Sequence, residues 1–277
     1  MSYGPTPWLQ AHWDIRAALN FLCGGAGAGL LVAAALFSGQ PEVPRAPLVA
    51  GVLLIGAGLF SVWLEIGRPL RAANVYFNPR TSWMAREALL APVVVALAAA
   101  TFLGARWSAP LLGLAGACYA YAQGRMLFAA RGIPAWRDPM LPTLIVTTAL
   151  AEGGGLLLIA GNLQGGITTV AIAFAGGAAF SRLLAWIMYR RQVEPTLVPA
   201  ARAALGPAQI ALGPRGTGAV LTLYCLALLL PDARGPLALA GGLIAAAAGA
   251  GFKLALITRA AHNQGFALPR LPVRGRR

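Results

Sequence analysis

Apolar residues dominate eight stretches of this chain, at roughly 17–38, 47–66, 84–104, 108–129, 140–161, 167–189, 216–230 and 236–258, and charges are nearly absent from them. A helix rises about 1.5 Å per residue, so about 20 such residues cross a hydrocarbon core of about 30 Å. The stretches lack the period-2 alternation of membrane β-strands, and only helices or closed barrels satisfy their own backbone hydrogen bonds in lipid. The pattern predicts an all-α polytopic membrane bundle of eight transmembrane helices, one domain over 1–277. The seventh stretch is the shortest, and its ends are the least sharply marked.

Composition fits this reading: 58% of residues are hydrophobic and 11% charged, against about a quarter charged in a soluble domain. The net charge of +14 does not point to nucleic acid, because the basic residues are strung along loops and helix ends without an aromatic-interleaved stripe. Met1 to Asp14 has no basic n-region, cleavage site or twin-arginine pair, so the first span is expected to be retained. Internal repeats, long linkers and heptads are lacking.

Eight spans place both ends of the chain on one side, with the loops 67–83, 130–139 and 190–215. Of the 22 lysines and arginines, Arg45, Arg106 and Arg234 lie on the opposite side and all others on the terminal side. Short arginine-rich loops stay in the cytoplasm, so both termini are expected there, in a cell inner membrane.

Ionisable groups inside spans cost about 2.5–3.5 kcal/mol each at the centre on insertion scales, so each needs a reason. Glu65, Glu87, Arg125, Arg182 and Lys253 all fall toward the terminal side, as do Asn20, Tyr119 and Tyr121. Snorkelling and local ion pairs, such as Glu65 with Arg68 or Arg71, account for single residues. A layer shared by five or six helices points instead to a ligand site. Glu152 differs, lying mid-span before Gly153-Gly154-Gly155. A carboxyl at that depth is either a step in a proton path or a neutral acid bonded to a neighbouring helix. The run Gly24-Gly25-Ala26-Gly27-Ala28-Gly29 sits inside an apolar helix, where small residues four apart favour close helix packing over any dinucleotide fold. His12 and His262 flank the spans, which argues against an embedded bis-histidine haem. Cys23, Cys118 and Cys225 are isolated, without iron–sulfur or zinc spacing. Redox chemistry here would need a diffusible carrier and a partner's centres.

Two segments, Leu64-Glu65-Ile66-Gly67-Arg68-Pro69-Leu70-Arg71-Ala72 and Asn78-Pro79-Arg80-Thr81-Ser82-Trp83-Met84-Ala85-Arg86-Glu87, resemble the signature of the membrane-anchor family of dimethyl sulfoxide and polysulfide reductases. Arg125 with Ile133-Pro134-Ala135-Trp136 and the Gly24–Gly29 run agree with it. Glu65 stands where the dimethyl sulfoxide type is expected to carry histidine. Tyr3-Gly4-Pro5, Trp13-Asp14-Ile15-Arg16-Ala17 and the ending Ile257 to Arg270 resemble the subgroup of phenylacetyl-CoA:acceptor oxidoreductase membrane subunits.

The resemblance implies a haem-free quinone site (ubiquinone or menaquinone) beside an iron–sulfur partner subunit, itself fed by a molybdenum catalytic subunit. Glu87 is then the proton donor, Lys253 or Arg125 the cation, and Asn20, Glu65, Tyr119 and Tyr121 the hydrogen-bonding lining. Arg68, Arg71, Arg80 and Arg86 dock the partner. An inward-facing catalytic subunit suits a CoA thioester, which cannot cross membranes. A quinol-oxidising anchor of a reductase, a purely structural anchor and a non-redox proton or solute transporter remain the competing readings.

Overall fold

In the computed structural model, residues 3–38, 45–66, 69–164 and 166–265 are described. Arg68 and Phe266 to Arg270 lie outside them, as does the side chain of Arg71. Helices α1 (Ile15–Phe37), α2 (Ala46–Glu65), α3 (Trp83–Phe102), α4 (Ser108–Ala129), α5 (Leu141–Gln164) and α6 (Thr169–Val193) run in succession. The short helices α7 (Pro199–Ala204) and α8 (Gly206–Leu212) follow, in a stretch expected to be loop. Then come α9 (Pro214–Leu229) and α10 (Arg234–Thr258).

Seven helical segments are long and apolar enough to cross a membrane, where the sequence predicts eight. The remaining expected span is α4, a 22-residue helix of sufficient length but lower apolarity, interrupted by Ser108, Tyr119, Tyr121, Gln123 and Arg125. The chain ends bear on the count. Gly4 N–H donates to the Gln264 carbonyl at 2.6 Å, Gln10 N–H to Ala261 and Asn263 N–H to Trp8, each at 3.0 Å, around an antiparallel Leu9–His262 bridge. The segments before α1 and after α10 therefore meet at one end of the bundle, here the terminal end. Such a meeting of the ends fits an even number of passes, and α4 is the helix on which the count turns.

Helices α1 and α5 form the centre, each with 67% of its most apolar window buried, against 28% for α2 and 33% for α3. Glycine sets how closely they approach. A Cβ at Gly29 would fall on the Ala149 carbonyl of α5, one at Gly153 on the backbone of Gly29, and one at Gly155 on Gly242 of α10. The Gly24–Gly29 run is thus helix-packing surface, as its spacing predicts.

Within α1 the regular helix gives way over Asn20–Gly24 to a π-turn. Such a turn bonds i to i+5 and loosens the carbonyl ladder locally. Asp14 caps the helix start, accepting from Arg16 N–H at 2.7 Å and Arg16 Nε at 2.9 Å; this contact holds its carboxyl below the usual range.

Gly29→Leu should cost about 3 kcal/mol or more, since a backbone carbonyl cannot yield as a side chain can. Gly177→Ala, whose Cβ meets open space, should stay within about 1 kcal/mol of wild type. Thermal unfolding of the detergent-purified chain separates the two.

The terminal clamp carries a pH dependence. Burial holds the His262 imidazole below its ordinary value of 6.5, and its Nδ1 is buried without a partner. The unfolded chain then binds a proton more readily than the folded one, so the clamp is at full strength above about pH 6.5 and weakens as pH falls below it. Hydrogen exchange at the Gln10 and Asn263 amides, corrected for intrinsic rate, should accelerate between pH 7.5 and 5.5. In His262→Gln that acceleration should vanish.

Candidate functional site

At the terminal end, α1, α2, α3 and the 3₁₀ turn Pro69–Phe77 enclose a cavity of about 990 Å³. Its walls are largely apolar, with Phe21, Leu59, Phe60, Trp63, Met84 and Met126 among them, and its polar lining includes Asn20, Glu65, Asn78, Ser82 and Glu87. Phe60 and Trp63, stacked at 5.7 Å, stay exposed on the outer flank of α2. The mouth therefore lies beside the surface a bilayer would cover.

The deepest polar group is the Glu87 carboxyl. Ser82 caps α3, its hydroxyl accepting from Ala85 N–H at 3.3 Å, and this fixes the first turns from which Glu87 projects. Asn20 Nδ2 donates to Glu87 Oε1 at 3.1 Å and more weakly to Oε2 at 3.4 Å, and Gln123 Nε2 donates to Oε1 at 2.9 Å. The Tyr119 hydroxyl is buried beside the same carboxyl, without a close hydrogen bond of its own. Asn20 Oδ1 is also unpartnered although Asn20 lines the cavity. A neutral-donor set grips this acid, with no cation in contact.

A second buried group meets the same stretch of α1. Lys253 Nζ donates to Glu152 Oε2 at 2.6 Å, to the Phe21 carbonyl at 2.7 Å and to the Leu22 carbonyl at 3.3 Å, while Gln123 Nε2 reaches the Asn20 carbonyl at 3.0 Å. The π-turn thus has its carbonyls met by two side chains, an amide and an ammonium. Gly24 and Gly25 leave the room: a Cβ on either would meet Gln123, and one on Gly25 also Lys253 Nζ.

Polar side chains continue along α10 in four-residue steps. The Tyr224 ring occupies the place of a Cβ at Gly241, Arg182 Nη1 donates to the Ala245 carbonyl at 2.8 Å, and Glu152 fills the space at Gly249, one turn before Lys253. Twelve residues at about 1.5 Å make this ladder about 18 Å long. Glu152 Oε1, Arg182 Nε and Nη2, and the Tyr224 hydroxyl along it are buried without partners. Buried groups of this kind are the ones internal water serves.

Of the residues singled out in the sequence, Asn20, Glu65 and Glu87 line the cavity, and Tyr119 stands behind Glu87. Lys253 does not reach the cavity; it serves the π-turn and Glu152. Arg125 and Tyr121 pair with each other at 2.8 Å on the outside of α4. Arg86 donates to the Pro79 and Arg80 carbonyls, both at 2.8 Å. Gln123 was not singled out, yet it joins Glu87 to the π-turn. Its signal is a fully buried amide four residues after Tyr119, on the same helical face. The groups gathered around the cavity and the π-turn are carboxyls, amides, a phenol and an ammonium.

The chain matches no protein-family model and no curated protein.

Removing one partner of a buried ion pair strands the other charge, at a cost of about 3–5 kcal/mol. Glu152→Gln and Lys253→Met should each destabilise the chain on that scale, Lys253→Met the more because two carbonyls also lose a donor. In the double variant the two losses should add to less than their sum by more than about 1 kcal/mol, measured as a double-mutant cycle on unfolding.

Proposed function

We propose that this multi-pass membrane protein is the anchor and quinone-reducing subunit of a molybdenum iron–sulfur oxidoreductase. It passes electrons from an iron–sulfur partner, supplied by phenylacetyl-CoA oxidation to phenylglyoxylate, to membrane quinone. The observation that carries this reading is the apolar cavity at the terminal end with one deeply set carboxyl on its wall, opening beside the lipid-covered flank of α2. A lipid-soluble carrier needs such an entry, aromatic walls and a few polar groups that fix its orientation.

The residues present suit a quinone. Phe21, Phe60 and Trp63 would bound its ring and tail, while Asn20, with an unpartnered buried Oδ1 and a donor Nδ2, and Glu87 would meet its oxygens. When bound, the quinone supplies a two-electron, two-proton acceptor. Glu87 holds a proton at its carboxyl for delivery to the cavity, and Gln123 and Asn20 keep that carboxyl turned toward it. The apolar walls exclude bulk water. Glu152, with Lys253, Arg182 and Tyr224, forms the inner part of the route by which Glu87 regains its proton. The positive terminal side faces the cytoplasm of the inner membrane, and the iron–sulfur subunit docks on that side.

Glu87→Gln keeps the size and the hydrogen-bonding role of the side chain but removes its transferable proton. Quinone reduction by the assembled complex should fall about 100-fold or more, while complex assembly and reduction of an artificial dye at the partner's clusters stay at wild-type levels. Quinone kinetics unchanged in that variant would remove Glu87 from the reaction. A chain that co-purifies with no redox partner, yet moves protons in vesicles, would favour the transporter reading that the ladder along α10 also suits.

A further inference from the structure

A second polar feature lies on the outside of the bundle, at the terminal end of α3 and α4. Five side chains alternate there, cation on ring. Arg86 lies 4.0 Å from the centre of Trp83, Arg125 lies 4.6 Å from the same ring and 5.4 Å from Phe128, and Arg131 lies 4.0 Å from Phe128. Tyr121 closes the stack, edge-on to Trp83 with centres 5.8 Å apart and its hydroxyl bonded to Arg125. All these contacts fall within the distance at which a cation gains from a ring face.

The stack has no acid. The ion pairs among the described residues join Arg16 to Asp14, Arg190 and Arg202 to Glu194, and Lys253 to Glu152. Three guanidinium groups therefore crowd one patch, and among the described residues no ion pair joins any of them to a carboxylate. Arg86 spends donors on two loop carbonyls and Arg125 one on Tyr121, but Arg125 Nε is buried and unpartnered.

Position selects the occupant. Leu111, Leu114, Cys118 and Tyr121 form an exposed stripe on α4 at helical spacing, and Arg125 and Phe128 continue it into the last turn. Apolar flank running into a cationic, aromatic end is the profile of a phospholipid, with acyl chains along the stripe and the headgroup at the arginines. A soluble partner would approach along the bundle axis, not along this flank.

We infer that the groove between the start of α3 and the end of α4 binds the phosphate of an anionic phospholipid, held by Arg125 and Arg131 with Arg86 and Trp83 as its wall. The site is separate from the cavity and independent of what the cavity binds.

Native mass spectrometry of the purified full chain, titrated with phosphatidylglycerol or with phosphatidylcholine of the same acyl chains, tests this. Phosphatidylglycerol should be retained about tenfold more strongly, and the preference should shrink at high salt. In Arg125→Gln/Arg131→Gln it should fall below threefold. In Arg106→Gln/Arg234→Gln, at the opposite end, it should persist. Equal retention of the two lipids by wild type, or full preference in the first double variant, overturns the proposal. Should that variant fail to fold, quenching of wild-type tryptophan fluorescence by tail-brominated phosphatidylglycerol decides. An excess over brominated phosphatidylcholine that Trp83→Phe removes supports the site, and an excess it leaves intact sinks it. Inorganic phosphate is the third arm: if it displaces phosphatidylglycerol at millimolar concentration, the groove is a free-anion site and the lipid assignment fails.

Discussion

A bilayer core offers no water to an exposed carbonyl, so a π-turn inside a membrane helix survives only where other side chains meet the carbonyls it loosens. In this protein Gln123 and Lys253 meet them, side by side at Gly25. Much else follows from that demand. Lys253 brings a buried positive charge, which draws Glu152 to 2.6 Å. Glu152 in turn needs the empty place at Gly249, and Gln123 and Lys253 need those at Gly24 and Gly25. One irregular turn thereby fixes side-chain choices on α4, α5 and α10.

The two buried acids both reach this turn through a neighbour, Glu87 through Asn20 and Gln123 and Glu152 through Lys253, and they are held differently. Glu87 is gripped by neutral amides at the wall of a cavity, and can gain or lose a proton without leaving a bare cation behind. Glu152 can do so only in step with Lys253, since its loss of charge alone strands an ammonium on which two carbonyls of α1 also depend. Gln123 touches the first directly and shares the π-turn with the second, so the two are mechanically linked even without a direct bond.

The apolar runs made the helical bundle and its approximate spans legible, because bilayer thickness sets helix length whatever the side chains beyond. Depth was legible too: Asn20, Glu87, Arg125 and Lys253 all lie in the terminal half, where alternation of direction puts them. Azimuth was not. Arg125 and Tyr121 share the depth of Glu87 but face outward, and Lys253 meets the π-turn and Glu152 instead of the cavity, since rotation about each helix depends on glycine contacts made with other helices. The π-turn left no trace in composition. Gln123 drew no notice because a neutral amide does not stand out in a hydropathy profile as a charge does. The apolarity of α4 is lowered by Ser108, Tyr119, Tyr121, Gln123 and Arg125, which sets it apart from the seven more apolar segments.

The lysine that completes the interior arrives late. Glu152 and Lys253 are 101 positions apart, and at a synthesis rate of about 5–20 residues per second some 5–20 s separate their emergence from the ribosome. For that interval the half-made bundle holds an intramembrane acid without its counter-ion, and α1 holds a loosened turn without its ammonium. The nascent helices must rest against the insertion machinery or against one another in a provisional order, and the last helix acts as the bolt that turns a loose assembly into a finished one.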